Sequence, residues 1–148
     1  MTSTVEQLRS NLAGNECHNV EVVVAAAGAV NGEVELQVAL DPAHHSIATE
    51  MLYGQLPVRR ERVRGVTLDE VWANAGRPQV SFVKIDVEGA EEAVLRGALA
   101  MIAAARPTMI VEVFDGSQVD PLVGLLPDYE AVVVPGFIWW NLLFRPAV

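Results

Sequence analysis

Cysteine is almost missing from this chain: Cys17 is the one thiol in 148 residues, so no internal disulfide can staple the fold. Positive charge is scarce too. Ten Lys and Arg face nineteen Asp and Glu, for a formal charge of −9, whereas phosphate backbones and anionic lipid surfaces are normally gripped by clustered cations. No nucleic-acid or membrane partner is therefore expected. Long apolar runs are absent as well. The stretch "FIWWNLLF" ends after eight residues and includes Asn141, while a bilayer-crossing helix needs about 20 apolar residues. The opening "MTSTVEQLRSNLAGN" has no apolar signal-peptide core, which together with the lone thiol predicts a cytoplasmic location. What the chain does have is apolar mass, 51% hydrophobic against 20% charged. That is enough for one globular domain over residues 1–148 with a sizeable core.

Periodicity organises this mass. Val5, Leu8 and Leu12 recur at helical steps before Gly14, predicting a helix from Thr4 to Ala13. "NVEVVVAAAG", Asn19 to Gly28, is a near-continuous apolar run, as expected of a strand covered on both faces. "NGEVELQVAL" opens on an Asn31-Gly32 turn and alternates Val34, Leu36, Val38 and Leu40 with polar or small residues, predicting a half-exposed antiparallel strand. Asp41 to Glu61, with Pro42, His44, His45, Gly54 and Pro57, keeps no period and reads as a loop or lid whose two histidines are solvated. "RVRGV" is a short strand, and Thr67 caps a short helix with Glu70 completing a capping box. A strand over Val80 to Val87, a helix over Ala90 to Ala105 stopped by Pro107, and a strand over Thr108 to Phe114 follow. "DPLVGLLP" is a short helix, and "YEAVVV" and "FIWWNLLFR" form an antiparallel edge pair joined by a turn at Val134 to Gly136. Alternating strands and helices predict an α/β fold with a mostly parallel sheet. Ligands of such sheets bind at the carboxyl ends of the strands, where Asp86, Glu88 and Glu112 fall.

Several blocks also resemble a known family. "VTLDEV", "FVKIDVEGAEEAVLRGA", "RPTMIVEVF" and "NLLFRP" occur in the order of the FkbM-type methyltransferases, with Lys84 to Gly89 the most specific of them. The resemblance implies a Rossmann-like class I methyltransferase sheet, mostly parallel with an antiparallel C-terminal edge. It also implies S-adenosylmethionine (SAM) as cofactor and transfer of its methyl group to a small-molecule acceptor, a sugar or specialised-metabolite hydroxyl. One part of the family pattern has no match: no glycine-rich strand-to-helix turn occurs before Val5, nor an acid to hold the ribose hydroxyls. The expected sheet is therefore N-terminally truncated, lacking the first strand, the glycine loop and the second strand. That predicts weakened SAM affinity and exposed sheet edges prone to self-association or awaiting a completing partner chain. An inactive remnant serving as a binding module is the alternative.

By the resemblance, Asp86 lies beside the transferred methyl as a catalytic and cofactor-binding carboxylate; the simpler reading is that it binds the amides of the turn into the next helix. Glu88 is either a third member of that site or, with Glu91 and Glu92, part of an acidic first turn that complements the helix dipole. Glu112 either lines the acceptor pocket or pairs with Lys84, which in a buried strand needs a carboxylate partner. Ala26 and Ala27 fall where the family's adenine-contacting turn lies, and a plain tight turn accounts for them equally. The histidines are adjacent and the cysteine is distant, so no metal site is expected.

Overall fold

The computed structural model describes residues 2–39, 45–47, 59–114, 116–134 and 140–147. Most of the expected lid, including His44, and the turn after Val134 lie outside the described residues. Helix α1 (Thr2–Gly14) forms where the periodicity predicts, starting two residues earlier and ending one residue later than expected. Two sheets follow. In the first, β1 (Ala26–Ala27) runs parallel to β3 (Arg59–Val66), which pairs antiparallel with β2 (Gly32–Val38) from Gly32↔Gly65 to Val38↔Arg59. The second has the order β4-β5-β7-β6, built from β4 (Phe82–Ile85), β5 (Thr108–Val113), β7 (Trp140–Pro146) and β6 (Tyr129–Val134).

The mixture of helices and strands is as expected, but a single, mostly parallel sheet is not what forms. Among the described residues the pairings of β1 with β3 and β4 with β5 are parallel, and the other three are antiparallel. The run from Asn19 to Gly28 accounts for much of the difference. Only Ala26 and Ala27 pair, and Val20, Val23 and Val24 are exposed. Valine density reports what a strand could bury; it does not supply the neighbouring strand that would bury it.

The predicted helix from Ala90 to Ala105 is divided into α3 (Glu91–Arg96) and α4 (Leu99–Ala105), and Asp69 in α2 (Leu68–Asn74) shows why. A continuous helix would pair the carbonyls of Arg96 and Gly97 with the amides of Ala100 and Met101. Instead the Asp69 amide donates to the Gly97 carbonyl at 2.9 Å, and the Asp69 carboxylate accepts from Ala100 N at 3.0 Å and Met101 N at 2.7 Å. The carbonyl oxygen of Gly28 packs so closely on Gly97 that a Cβ there would lie 2.1 Å from it. One junction thus ties the end of β1 to the helices over the second sheet.

Thr67 caps α2 as predicted, its hydroxyl accepting from Glu70 N at 3.1 Å. The reciprocal half of the capping box is replaced: Thr67 N donates to Asn31 Oδ1, and the Glu70 carboxylate takes Arg64.

The core lies on one face of the second sheet. Val94 and Leu95 of α3, Met101 and Ile102 of α4, and Leu122 of α5 (Val119–Gly124) pack on Ile85, Met109, Val111, Val113, Leu142 and Phe144. Each fully buried side chain of this size contributes about 1.5–3 kcal/mol relative to exposure. The opposite face is set by the same alternation, through Phe82 and Lys84, Ile110 and Glu112, Leu143 and Asn141, and Val132 and Val134. Phe82 and Val132 remain more than half exposed.

Candidate active site

The carboxyl end of β4 is where the chain changes direction, and its chemistry follows from the strand's alternation. Lys84 and Asp86 sit two residues apart on the open side, and Glu112 stands on the same side of β5, near its end. The Lys84 ammonium donates to Asp86 Oδ2 at 3.0 Å and to Glu112 Oε2 at 3.2 Å. Two sequence-predicted site carboxylates are thereby held on one cation. Partial burial acts to lower the Lys84 pKa, but the hydrogen bonds and charges of Asp86 and Glu112 outweigh it and raise the value above that of an ordinary lysine. Sequence reasoning put Lys84 in the middle of a buried strand; its side chain is instead 41% exposed, on the face that leaves Phe82 and Val132 open to solvent.

Beyond Asp86 the backbone turns sharply. Glu88 adopts a left-handed conformation (φ 53°) and Gly89 follows at φ 94°. The first is uncommon and costly for a residue with a side chain, while the second suits glycine. The turn is fixed from two sides. Ser46 Oγ donates to the Glu88 carbonyl, and Gly89 N donates to Glu91 Oε1 at 2.8 Å. Glu91, 3% exposed, is the residue that sequence reasoning underrated as one acid of a helical first turn. Its other oxygen accepts from Gln118 Nε2 at 3.2 Å, and Gln118 Oε1 accepts from Phe114 N at 2.7 Å. The turn after β4 is thus linked to the end of β5. An acid two residues past a glycine in the strand-to-helix turn was the available signal; its burial was not.

Ala26 and Ala27 lie half-buried in β1, paired with Gly65 and Val66. No hydrogen bond or ion pair among the described residues connects them to Asp86. A three-residue bridge brings the two regions together: Ile47 packs against Gly28, while neighbouring Ser46 holds Glu88 and pairs with Gln37. His45, expected to be solvated, is half-buried, and its Nδ1 accepts from Ala39 N at 3.3 Å. Among the described residues no three His, Cys, Asp or Glu side chains gather as a metal site, and no helix is long and apolar enough to cross a membrane.

Comparison with known proteins adds two findings. Residues 3–130 match the family described as the methyltransferase FkbM domain. The structure superposes on a crystal structure of methyltransferase FkbM from Methylobacillus flagellatus with a TM-score of 0.63 at 18% identity, over 95% of this chain and 33% of that one. At that identity the likeness speaks for the fold, and the present chain spans about a third of the other's length. No individually curated protein matches the sequence significantly.

Proposed function

Because the chain belongs to the FkbM methyltransferase family, we propose that it serves SAM-dependent methyl transfer to an oxygen of a small-molecule acceptor, a hydroxyl of a sugar or specialised metabolite. The observation that carries this reading is the Asp86–Lys84–Glu112 cluster beside the strained turn at Glu88 and Gly89. It stands at the carboxyl ends of β4 and β5, which run parallel, the end at which ligands of such folds bind. We take the order β4-β5-β7-β6 as one half of a Rossmann-like class I sheet.

The residues present fit part of the cofactor. Two carboxylates around one ammonium leave the cluster a formal charge of −1, hospitable to a sulfonium cation. The small side chains of Ala26 and Ala27 offer a shelf for a planar base, held near Glu88 by Ser46 and Ile47. A carboxylate for the ribose hydroxyls has no counterpart among the described residues at this shelf, and in this reading a completing polypeptide supplies it. When bound, SAM provides the electrophilic methyl. The chain's own part is to orient the acceptor and accept its proton at Asp86, with Lys84 hydrogen-bonded to that carboxylate and Glu112 positioned beside it.

The test is methyl transfer from radiolabelled SAM to a panel of sugar and metabolite hydroxyls, with SAM affinity followed by calorimetry. Asp86→Asn should lower turnover by about 10²–10⁴-fold while leaving the fold intact. Full activity in that variant would remove Asp86 from the chemistry. A folded wild-type protein that neither binds SAM nor transfers a methyl group, even with a completing chain present, would leave the binding-module alternative.

A further inference from the structure

The open face of the second sheet carries a polar side chain that the chemistry assigned to Asp86 leaves unused. Asn141 interrupts the apolar run "FIWWNLLF" and stands on β7 directly opposite Glu112 of β5. Residues paired in this way share a face and have Cβ atoms about 4.5–5.5 Å apart. Glu112 in turn shares the Lys84 ammonium with Asp86, just past the end of β4. Asp86, Glu112 and Asn141 therefore form one row across the ends of three neighbouring strands. Lys84 takes Asp86 Oδ2 and Glu112 Oε2, whereas Asp86 Oδ1, Glu112 Oε1 and the Asn141 carboxamide have no hydrogen-bond partner among the described residues. The row is open to a ligand: the Asp86 and Glu112 side chains are 50% and 26% exposed, and Asn141 is half-buried. Next to it on the same face, Ile110 and Leu143 pair with each other and make a half-buried apolar floor.

We infer that the acceptor is held as a vicinal diol on a saturated ring, with Asn141 as the residue that positions it, an inference that rests on the methyl-transfer reading. The requirement follows from the donors and acceptors in the row. Carboxylates only accept hydrogen bonds, while a carboxamide both donates and accepts. A hydroxyl lying between Glu112 and Asn141 can donate its proton to Glu112 Oε1 and accept from Asn141 Nδ2, so both of its capacities are met. The reacting hydroxyl stands at Asp86, one strand away, and the two carboxylates are gathered within 3.2 Å of a single ammonium. That short span suits hydroxyls on adjacent carbons. The C–H face of the ring then rests on Ile110 and Leu143. Asn141 grips the neighbour of the reacting oxygen, so its removal should raise KM for the acceptor far more than it lowers kcat.

Binding tests this without cofactor or turnover. cis-Cyclohexane-1,2-diol is titrated into the full chain in parallel with cyclohexanol, which keeps the ring and loses one hydroxyl, and 1H–15N NMR follows the side-chain NH2 pair of Asn141. The diol should shift that pair saturably and bind about two- to tenfold more tightly than cyclohexanol, a comparison made in the unaltered protein and independent of any variant's folding. Asn141→Ala should abolish the preference and leave cyclohexanol affinity unchanged, whereas a loss of fold would weaken both alcohols alike. The inference is overturned if neither alcohol binds, if the unaltered protein binds both equally, or if Asn141→Ala keeps the preference. An Asn141-dependent preference in a chain that transfers no methyl group would uphold the diol site and remove the methyl-transfer reading. Methyl transfer to cyclohexanol as readily as to the diol would uphold that reading and overturn this inference.

Discussion

The two faces of the four-stranded sheet are woven from the same alternating strands and finished in opposite ways. One face is sealed by α3, α4 and α5, and Leu95, Met109 and Phe144 on it have no exposure at all. The other presents Phe82, Val132 and Val134 to solvent around the Lys84 cluster. The contrast separates two jobs: the sealed face holds the fold together, and the open face carries the charged cluster to which the proposed chemistry is assigned. A matched pair of substitutions tests this most forcefully. Leu95→Ala should cost about 2–5 kcal/mol by urea denaturation. Phe82→Ala should change stability by no more than about 0.5 kcal/mol. A large loss from Phe82→Ala would mean that the open face is covered in solution, by a second copy or a completing chain.

The junction between the two sheets gives the next-largest effect. Gly97→Ala places a methyl group against the Gly28 carbonyl, and because the obstacle is backbone it cannot swing aside. We expect a loss of about 1–3 kcal/mol in thermal melts. Gly124→Ala, in a helix with open space around the added atom, is the control and should be neutral or slightly stabilising. Equal behaviour of the two variants would show that the tie between β1 and the α3–α4 break is not tight.

What the sequence disclosed and what it concealed divides along this same line between local and non-local causes. Alternation in Gly32–Val38, the Thr67 cap, the Pro107 stop and the placement of Asp86 and Glu112 at strand ends were all legible, because each depends on residues a few positions apart. The division of α3 from α4 was not, because Asp69, thirty-odd positions upstream, supplies the competing hydrogen bonds. Lys84 was correctly matched with carboxylate partners, yet its exposure was misjudged, since an apolar strand pattern presumes a covering layer on each face. The burial of Glu91 was hidden for a similar reason. Its partner Gln118 comes from beyond β5, and no local pattern marks that meeting.

The smallest expected effect concerns the open face alone. Lys84 has a raised pKa because two carboxylates hold its proton more firmly in the folded state than water does in the unfolded one. A group whose folded value is raised contributes its full stabilisation below the unfolded value, near 10.5, and loses it as pH climbs through the folded value. With the side chain 41% exposed, solvent screening keeps that contribution under about 1 kcal/mol. Lys84→Met should therefore lower the urea midpoint slightly and equally from neutral pH to about 9, and the gap from the unaltered protein should close only in strongly alkaline solution. A gap that persisted unchanged well above the lysine range, or one that closed near neutrality, would show that the ammonium's bonds to Asp86 and Glu112 are not what Lys84 contributes to this face.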